Sequence, residues 1–304
     1  MNYMLSRRRF AQLAIAGTTG IALFQLTKKT IAQQNLLIVG LQIGPAINSS
    51  SVANLRLDSL DDDSDPTVSY PAITQEISFV SLNEVTGQAE KLSLAPVTLS
   101  AGEEVTGFTA LTNGTMVVAI TPASNSKEDV NPTRIVFLST PDNQAVTISG
   151  LKKQEKLGSL VGTSDGKLLG LVSRKDNKPP FRLVDINIQT GAINASSRVK
   201  ISGNNRLTNL AQCDDGTMYA IATDKSGATS LVNLNSQQKT PITANNQVWN
   251  NGLQSLVCSS ANQLFAFGAT RYQWRQSLYI IDPQTGKMTL PKEFPANQIA
   301  VVRR

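Results

Sequence analysis

Short apolar segments alternate with polar turns through most of the chain, and no apolar pattern of helical period is long enough to predict a helix. A unit of roughly 50 residues recurs: an apolar strand, a tight turn, a second apolar strand, and a third strand that ends in a hairpin. The tight turns fall at Asn113-Gly114, Asp165-Gly166, Asp215-Gly216 and Ala261-Asn262. The hairpins fall at Thr86-Gly87, Asp142-Asn143, Thr190-Gly191, Gln237-Gln238 and Thr285-Gly286.

The third repeat shows the predicted unit most clearly. Its innermost strand is expected at residues 157–163, the second at 168–174, the third at 181–188 and the outer strand at 192–201. Segments such as residues 135–138 are apolar at consecutive positions, which is typical of strands that are covered on both faces. Four antiparallel strands that need neighbours on both faces form the blade of a β-propeller. The sequence therefore predicts an all-β protein, a propeller of five four-stranded blades.

The two ends of the chain are predicted to build one blade together. The first repeat offers a second strand at residues 36–43 and a third at 76–82, but no innermost strand. Residues 298–302 form an apolar strand that is otherwise without a partner. We expect this C-terminal strand to complete the first blade, so that no sheet edge is left open. Six blades remain an alternative if the long insertion after residue 43 contains a further strand pair.

The N-terminal segment has the features of an export signal. Ser6-Arg7-Arg8-Arg9-Phe10 precedes a weakly apolar stretch at residues 13–26, and two lysines, Lys28 and Lys29, follow it. This segment resembles a twin-arginine (Tat) signal peptide, which implies passage through the Tat translocase and a periplasmic or equivalent extracytoplasmic location. The small residues before Gln33 predict cleavage there, giving a signal peptide at residues 1–32 and one domain at 33–304. The alternative is an uncleaved N-terminal anchor.

The basic excess of the chain lies in that same segment. The full chain has 28 Lys and Arg against 22 Asp and Glu, and all five charged residues of the first 32 positions are basic. Once this segment is removed, the two signs nearly balance. We therefore expect no nucleic-acid partner, since phosphate binding needs clustered Lys and Arg. No later apolar stretch reaches the roughly 20 residues that span a bilayer, so no transmembrane span is expected after cleavage.

Histidine and cysteine usage exclude several kinds of catalytic site. The chain contains no histidine, which excludes Ser-His-Asp catalysis and histidine-ligated metal centres. Its two cysteines, Cys213 and Cys258, lie near the ends of neighbouring innermost strands, one position out of register. They either face each other, as a disulfide would require, or point apart as two small buried residues.

The longest predicted connections all emerge on one side of the propeller. They join second to third strands, at residues 44–75, 122–133, 175–180 and 271–275. Long loops on a rigid scaffold commonly carry binding residues, so an unknown protein or small ligand is expected on this side. The candidate contact residues are aromatic or basic: Trp249, Arg271, Tyr272, Trp274 and Arg275. The alternative is that both tryptophans fill the core and that the arginines neutralise the acidic insertion.

The first of these connections contains an acidic run. Asp61, Asp63 and Asp65 alternate as in the first half of a calcium-binding loop, which makes calcium a cofactor candidate. Pro66 stands where an EF-hand needs glycine, and Ala72 stands where it needs a bidentate glutamate. The alternative is a solvated acidic loop.

No motif in the chain specifies a reaction, which favours a non-enzymatic binding or protein-interaction platform. The first alternative is an exported hydrolase, such as a glycosidase with carboxylates around the propeller opening. The candidate acids Glu76, Glu84, Asp185 and Asp282 are expected on third strands or their ends, which lie too far from the axis. The second alternative is a redox-cofactor propeller, suggested only by the Tat route.

Overall fold

A computed structural model of the chain describes residues 37–48, 73–82, 88–100, 102–123, 132–138, 142–201, 203, 205–259, 261–269 and 276–302. In chain order, the first strands are β1 (Leu37–Asn48), β2 (Ile73–Leu82), β3 (Ala89–Lys91), β4 (Val97–Leu99), β5 (Glu103–Ala110), β6 (Met116–Pro122), β7 (Arg134–Leu138), β8 (Gln144–Thr147), β9 (Glu155–Gly162), β10 (Leu168–Arg174), β11 (Phe181–Ile186) and β12 (Ile193–Val199). The remaining strands are β13 (Arg206–Gln212), β14 (Met218–Thr223), β15 (Thr229–Asn233), β16 (Lys239–Pro241), β17 (Thr243–Ala244), β18 (Gln247–Val248), β19 (Ser255–Cys258), β20 (Leu264–Gly268), β21 (Ser277–Ile281), β22 (Lys287–Glu293) and β23 (Gln298–Val302).

These strands form five sheets, and in three of them the strand order follows the chain. Three sheets have the expected four strands, β5 to β8, β9 to β12, and β13 to β16. The first sheet has the order β23-β1-β2-β3 and gains β4, which also pairs with β2. The last sheet, β19 to β22, gains the small hairpin β17-β18 because β17 pairs in parallel with β22. The expectation of uniform four-stranded units is therefore wrong for these two sheets.

The C-terminal strand closes the structure as predicted. β23 pairs antiparallel with β1, from Leu37 opposite Val302 to Leu41 opposite Gln298. The innermost strands contact one another in the closed order β23, β5, β9, β13, β19 and back to β23. This arrangement is an all-β, propeller-like fold.

The hydrophobic core is divided into five clusters, one between each pair of neighbouring sheets. Consecutive residues of one strand contribute to different clusters. Val118 packs between the first and second sheets, whereas Val117 packs between the second and third. Both side chains are fully buried. This explains why the strands are apolar at consecutive positions: each face of a sheet is covered by a neighbour.

The predicted tight turns between first and second strands are present. Each is closed by a backbone hydrogen bond, from Gly114 to Leu111, Gly166 to Thr163, Gly216 to Cys213 and Asn262 to Ser259, at 2.9–3.1 Å. The connection predicted at residues 44–75 is shorter than expected. β1 continues past an irregularity at Ile43 and Ala46, and its last residue, Asn48, pairs with Ile73.

The hairpin glycines at the ends of the third strands also join neighbouring sheets. Gly191 and Gly286 have positive φ angles of 72° and 69°. Their carbonyls accept hydrogen bonds from Ser149 N and Thr243 N of the preceding repeat, each at 3.0 Å. A Cβ atom on Gly286 would lie 2.0 Å from the Pro241 carbonyl oxygen. Sequence reasoning identified these turns but not their role in contacting the neighbouring sheet.

Candidate functional site

The long connections and the starts of the innermost strands share one side of the sheets. Glu103 begins β5 and lies opposite Pro122 at the end of β6, while β7 begins beside the same end with Arg134. The third sheet has the same arrangement, because Glu155 at the start of β9 lies opposite Arg174 at the end of β10. We call this side the loop side, and the opposite side, which carries the tight turns, the turn side.

An ion pair joins two neighbouring blades on the loop side. Lys156 Nζ lies 2.8 Å from Glu104 Oε1, so the pair connects β9 to β5. The Lys156 side chain is only 8% exposed, and that of Glu104 is 37% exposed. A buried ammonium group needs a partner, and Glu104 supplies it. The pair therefore holds two neighbouring innermost strands together at the loop side.

A second ion pair lies within one blade, at the same level. Glu103 accepts two hydrogen bonds from the Arg134 guanidinium, one from Nη2 at 2.9 Å and a shorter one from Nη1. The Glu103 Oε2 atom also accepts a hydrogen bond from Ser100 N at 2.8 Å. Arg134 in turn donates to the Thr98 carbonyl of β4 at 3.2 Å. The pair therefore links strands of the first two sheets.

The third sheet repeats this arrangement with Glu155 and Arg182. Arg182 Nε and Nη2 donate to the two carboxylate oxygens at 3.1 and 2.6 Å. Lys152 N donates to Glu155 Oε2 at 3.0 Å, as Ser100 N does to Glu103. Burial by itself raises the pKa of Glu155, but the hydrogen bonds from Arg182 and Lys152 outweigh it, so the pKa lies below its usual range. The carboxylate is thus held ionised as a structural partner of arginine.

Sequence reasoning missed these two pairs, although a signal is present. In both repeats, a glutamate begins the innermost strand and an arginine lies at or next to the start of the third strand, 31 residues later in one repeat and 27 in the other. Comparing the charges at matching positions of the repeats would have found them. The fourth and fifth sheets do not show the pattern in the described residues, since their third strands begin with Thr229 and Ser277.

The innermost strands leave small cavities along the axis, on either side of one level of apolar residues whose side chains pack into the clusters between neighbouring sheets. Each innermost strand contributes one residue, Phe108, Leu160, Leu210, Leu256 and Ile299. All five are buried. A cavity of about 10 Å³ lies on their loop side and another of about 30 Å³ on their turn side. Volumes of this size admit one or a few water molecules.

Hydrogen bonds between side chains and backbone join neighbouring innermost strands around the whole axis. Each of them involves a polar side chain on or beside an innermost strand and a backbone group of the neighbouring repeat. They are Gly162 N to Thr109 Oγ1 (2.9 Å), Leu210 N to Ser159 Oγ (2.9 Å), Asn209 Nδ2 to the Leu253 carbonyl (2.6 Å), Ile299 N to Ser255 Oγ (3.1 Å) and Gln298 Nε2 to the Val105 carbonyl (3.1 Å). The polar residues along the axis therefore stabilise the ring.

A disulfide joins Cys213 to Cys258 across the interface between the fourth and fifth sheets. The two residues follow or end the innermost strands β13 and β19, and both are buried. Of the two arrangements that the sequence left open, the structure therefore shows the one in which the side chains face each other.

Among the predicted contact residues, Trp249 lies in the core. It is 4% exposed, and its ring meets that of Tyr279 edge to face at a centroid distance of 5.5 Å. The indole Nε1 donates to the Gly252 carbonyl at 2.5 Å. This geometry supports the alternative in which Trp249 is a packing residue. The other predicted contact residues, Arg271, Tyr272, Trp274 and Arg275, lie outside the described residues.

The predicted calcium ligands Asp61, Asp63 and Asp65 also lie outside the described residues, as does the signal segment at 1–32. Within the described ranges, no three His, Cys, Asp or Glu side chains are grouped so that they could hold a metal ion. The same part of the chain contains no helix with the length and hydropathy needed to cross a bilayer.

The described acids considered for a hydrolase do not meet at the axis. Glu76 lies on β2, Asp185 on β11, and Asp282 directly after β21, so each belongs to a different sheet. All three positions are on or after third strands, two strand spacings, or roughly 10 Å, outside the innermost strand. The fourth candidate, Glu84, lies outside the described residues. The acids on the innermost strands are instead Glu103, Glu104 and Glu155, each of which is paired with a basic side chain.

Comparisons with known proteins show similarity at the level of the fold. No known protein family and no curated protein matches the chain. Among solved structures, the chain is similar to a protein of unknown function from Bacteroides caccae, with 12% identity, 75% of this chain and 95% of that chain covered, and a TM-score of 0.45. It is also similar to a putative gluconolactonase (12% identity, 74% and 76% covered, TM-score 0.44) and to a gluconolactonase from Xanthomonas campestris (12% identity, 74% and 73% covered, TM-score 0.42). At such identities and scores, the likeness concerns the fold and not the activity.

Proposed function

We propose that the protein is an exported, non-enzymatic propeller of five blades that acts as a binding or protein-interaction platform on its loop side. The observation that carries this proposal is that the acids of the innermost strands are paired with basic side chains. Glu103 and Glu155 each accept a bidentate arginine, and Glu104 neutralises the buried Lys156. A general acid needs a raised pKa and a free proton, whereas the pKa of Glu155 is lowered by its partners, and Glu103 and Glu104 are engaged in contacts with arginine and lysine that hold the scaffold together.

The closed contacts of the innermost strands support the count of five blades. Each of the five sheets contributes one innermost strand to the ring. Five core clusters alternate with the five sheets, as stacking of one blade on the next requires.

The disulfide supports the export part of the proposal. Disulfides persist in oxidising compartments and are rare in the reducing cytosol. A bond between Cys213 and Cys258 is therefore consistent with the arginine-containing segment around Arg7 and Arg8 being an export signal. Export is tested by replacing both arginines, Arg7→Lys and Arg8→Lys, and fractionating a Tat-competent host. The variant should stay in the cytoplasm in precursor form, and unchanged export would refute the Tat assignment.

The platform function is tested with protein recovered from the exported compartment of its own host. Native mass spectrometry should show the mass of residues 33–304 together with a stoichiometric protein or ligand that is released on denaturation. In parallel, the protein is assayed with chromogenic glycosides. The non-enzymatic proposal would be overturned if the wild type hydrolysed a glycoside and Glu104→Gln abolished this activity. The control variant Asp165→Asn, on the turn side, would have to leave the activity intact.

A further inference from the structure

A second depression lies on the turn side of the last sheet, away from the loop side. Its volume is about 440 Å³, within the usual size range of small-molecule sites. Ile280 and Pro283 supply part of its apolar wall. Gln263, Asp282, Lys287 and Thr289 supply polar groups. An apolar wall with a few convergent polar groups is the usual composition of a ligand site.

One wall group has an unmet hydrogen-bonding requirement. The Gln263 Oε1 atom is buried and accepts no hydrogen bond from the residues that the structure describes. Leaving a buried acceptor unpaired costs about 1–3 kcal/mol. A ligand that donates an N–H or O–H group to this oxygen, after the Gln263 side chain turns toward the depression, would remove that cost.

The two charged residues of the wall have opposite signs and stand at the two ends of one hairpin turn. Asp282 N donates to the Lys287 carbonyl at 3.0 Å, which closes the turn. The Asp282 carboxylate accepts hydrogen bonds from Thr285 Oγ1 and Gln284 N, which lower its pKa and keep it ionised. It retains acceptor capacity for a ligand. The Lys287 ammonium group makes no ion pair within the described residues.

The matching turns of two other sheets show that the turn itself needs neither charge. Asn187 N donates to the Ala192 carbonyl, and Asn233 N donates to the Gln238 carbonyl, as Asp282 N does to Lys287. Asn187 Oδ1 accepts from Gln189 N at 2.9 Å, the distance at which Asp282 Oδ1 accepts from Gln284 N. Asparagine can therefore close this turn, and the residue that accepts its N–H, Ala192 or Gln238, is uncharged. Among these three turns, only the last has an anion and a cation.

We propose that this depression binds a small zwitterion with an apolar body, the class to which the α-amino acids with aliphatic side chains belong. The ligand's ammonium group meets Asp282 and the unpaired Gln263 oxygen. Its carboxylate meets Lys287, and its side chain lies against Ile280 and Pro283. Charge-assisted hydrogen bonds at both ends select a zwitterion over a simple acid or amine.

The test uses the full exported protein and L-leucine as the probe, with isocaproate and isoamylamine as analogues that each lack one charge. Isothermal titration should show saturable leucine binding at concentrations up to about 10 mM and at least tenfold weaker binding of both analogues. The variants Asp282→Asn and Lys287→Gln copy residues that the other turns already use, so they should fold normally. Each should weaken leucine binding at least tenfold. Their melting curves, compared with that of the wild type, verify the fold.

Three results would overturn the proposal. Wild-type protein that shows no saturable binding of leucine would do so. Equal affinity for leucine and isocaproate would exclude recognition of the ammonium group. Unchanged leucine affinity in a folded Asp282→Asn variant would place any binding elsewhere on the molecule.

Discussion

The Gln298 side chain donates a hydrogen bond to the Val105 carbonyl at 3.1 Å, although the two residues are 193 positions apart. This bond joins the last strand of the chain, β23, to β5, the innermost strand of the next sheet. On its other side, β23 is bonded to β19 through Ile299 N and Ser255 Oγ. The ring therefore closes through side-chain contacts as well as through the β1–β23 ladder.

Removing residues 298–304 should unfold or oligomerise the protein, because it deletes an innermost strand and exposes the edge of β1. The single variant Gln298→Leu should be milder, with a loss of about 1 kcal/mol of unfolding free energy for one hydrogen bond. Urea unfolding measures the second effect, and native mass spectrometry with thermal melting measures the first. A truncated protein that stays monomeric with an unchanged melting temperature would contradict the closure described here.

The hairpin glycines should be far more sensitive to alanine than a turn glycine with a similar φ angle. Gly191 (φ 72°) would place a Cβ 2.1 Å from the Thr147 carbonyl oxygen, and Gly286 would place one 2.0 Å from that of Pro241. A Cβ on Gly216 (φ 82°) would meet no atom within 4 Å. Gly216→Ala should therefore cost only the backbone term, about 1–2 kcal/mol. Gly191→Ala should cost more, because it also separates two sheets.

The matched pair isolates the steric contribution. Denaturant unfolding of both alanine variants gives two losses of unfolding free energy, and their difference reports the contact between neighbouring sheets. Equal losses would mean that the close approach at Gly191 relaxes freely and does not hold the sheets together.

The ion pair of Glu155 and Arg182 should make stability depend on pH in the acid range. The pKa of Glu155 in the folded state is lowered below its ordinary value of 4.5, so its ionised form favours folding. The stabilisation is present above pH 4.5 and is lost as the pH falls through the folded-state pKa. The unfolding free energies of wild type and Glu155→Gln should therefore differ at neutral pH and converge as the pH falls below the folded-state pKa. A difference that is constant with pH would assign the effect to packing.

Much of the fold follows from local signals in the sequence. The Asn-Gly and Asp-Gly turns indicate where strands begin and end, and the consecutive apolar positions indicate that both faces of a strand are covered. Most strands could therefore be predicted, and so could the C-terminal strand that completes the first sheet. Additions such as β17 could not be predicted, because Thr243 and Ala244 carry no strand pattern of their own. They pair only with the short strand β18 and with β22 of the next repeat, where Thr243 N donates to the Gly286 carbonyl.

The candidate site was harder to predict for a related reason. The ion pairs of Glu104 with Lys156 and of Glu155 with Arg182 join residues that are far apart in sequence, and each charge alone resembles an ordinary surface charge. Trp249 shows the opposite problem, since an aromatic residue near a loop has the same composition signal whether it binds a partner or fills the core.

Replacing both cysteines should weaken the interface between the fourth and fifth sheets without opening the ring. Cys213 and Cys258 are 45 residues apart, and cross-linking a loop of this length lowers the entropy of the unfolded chain by an amount worth about 4 kcal/mol. The double variant Cys213→Ser and Cys258→Ser should lose stability of that order in urea unfolding. Its fold should persist, because the hydrogen bond from Asn209 Nδ2 to Leu253 and the packing of Leu256 still join the same sheets. Reductant should lower the unfolding free energy of the wild type to that of the double variant and leave the variant unchanged. If the unfolding free energy of the wild type does not change with reductant under denaturing conditions, the disulfide does not form in solution.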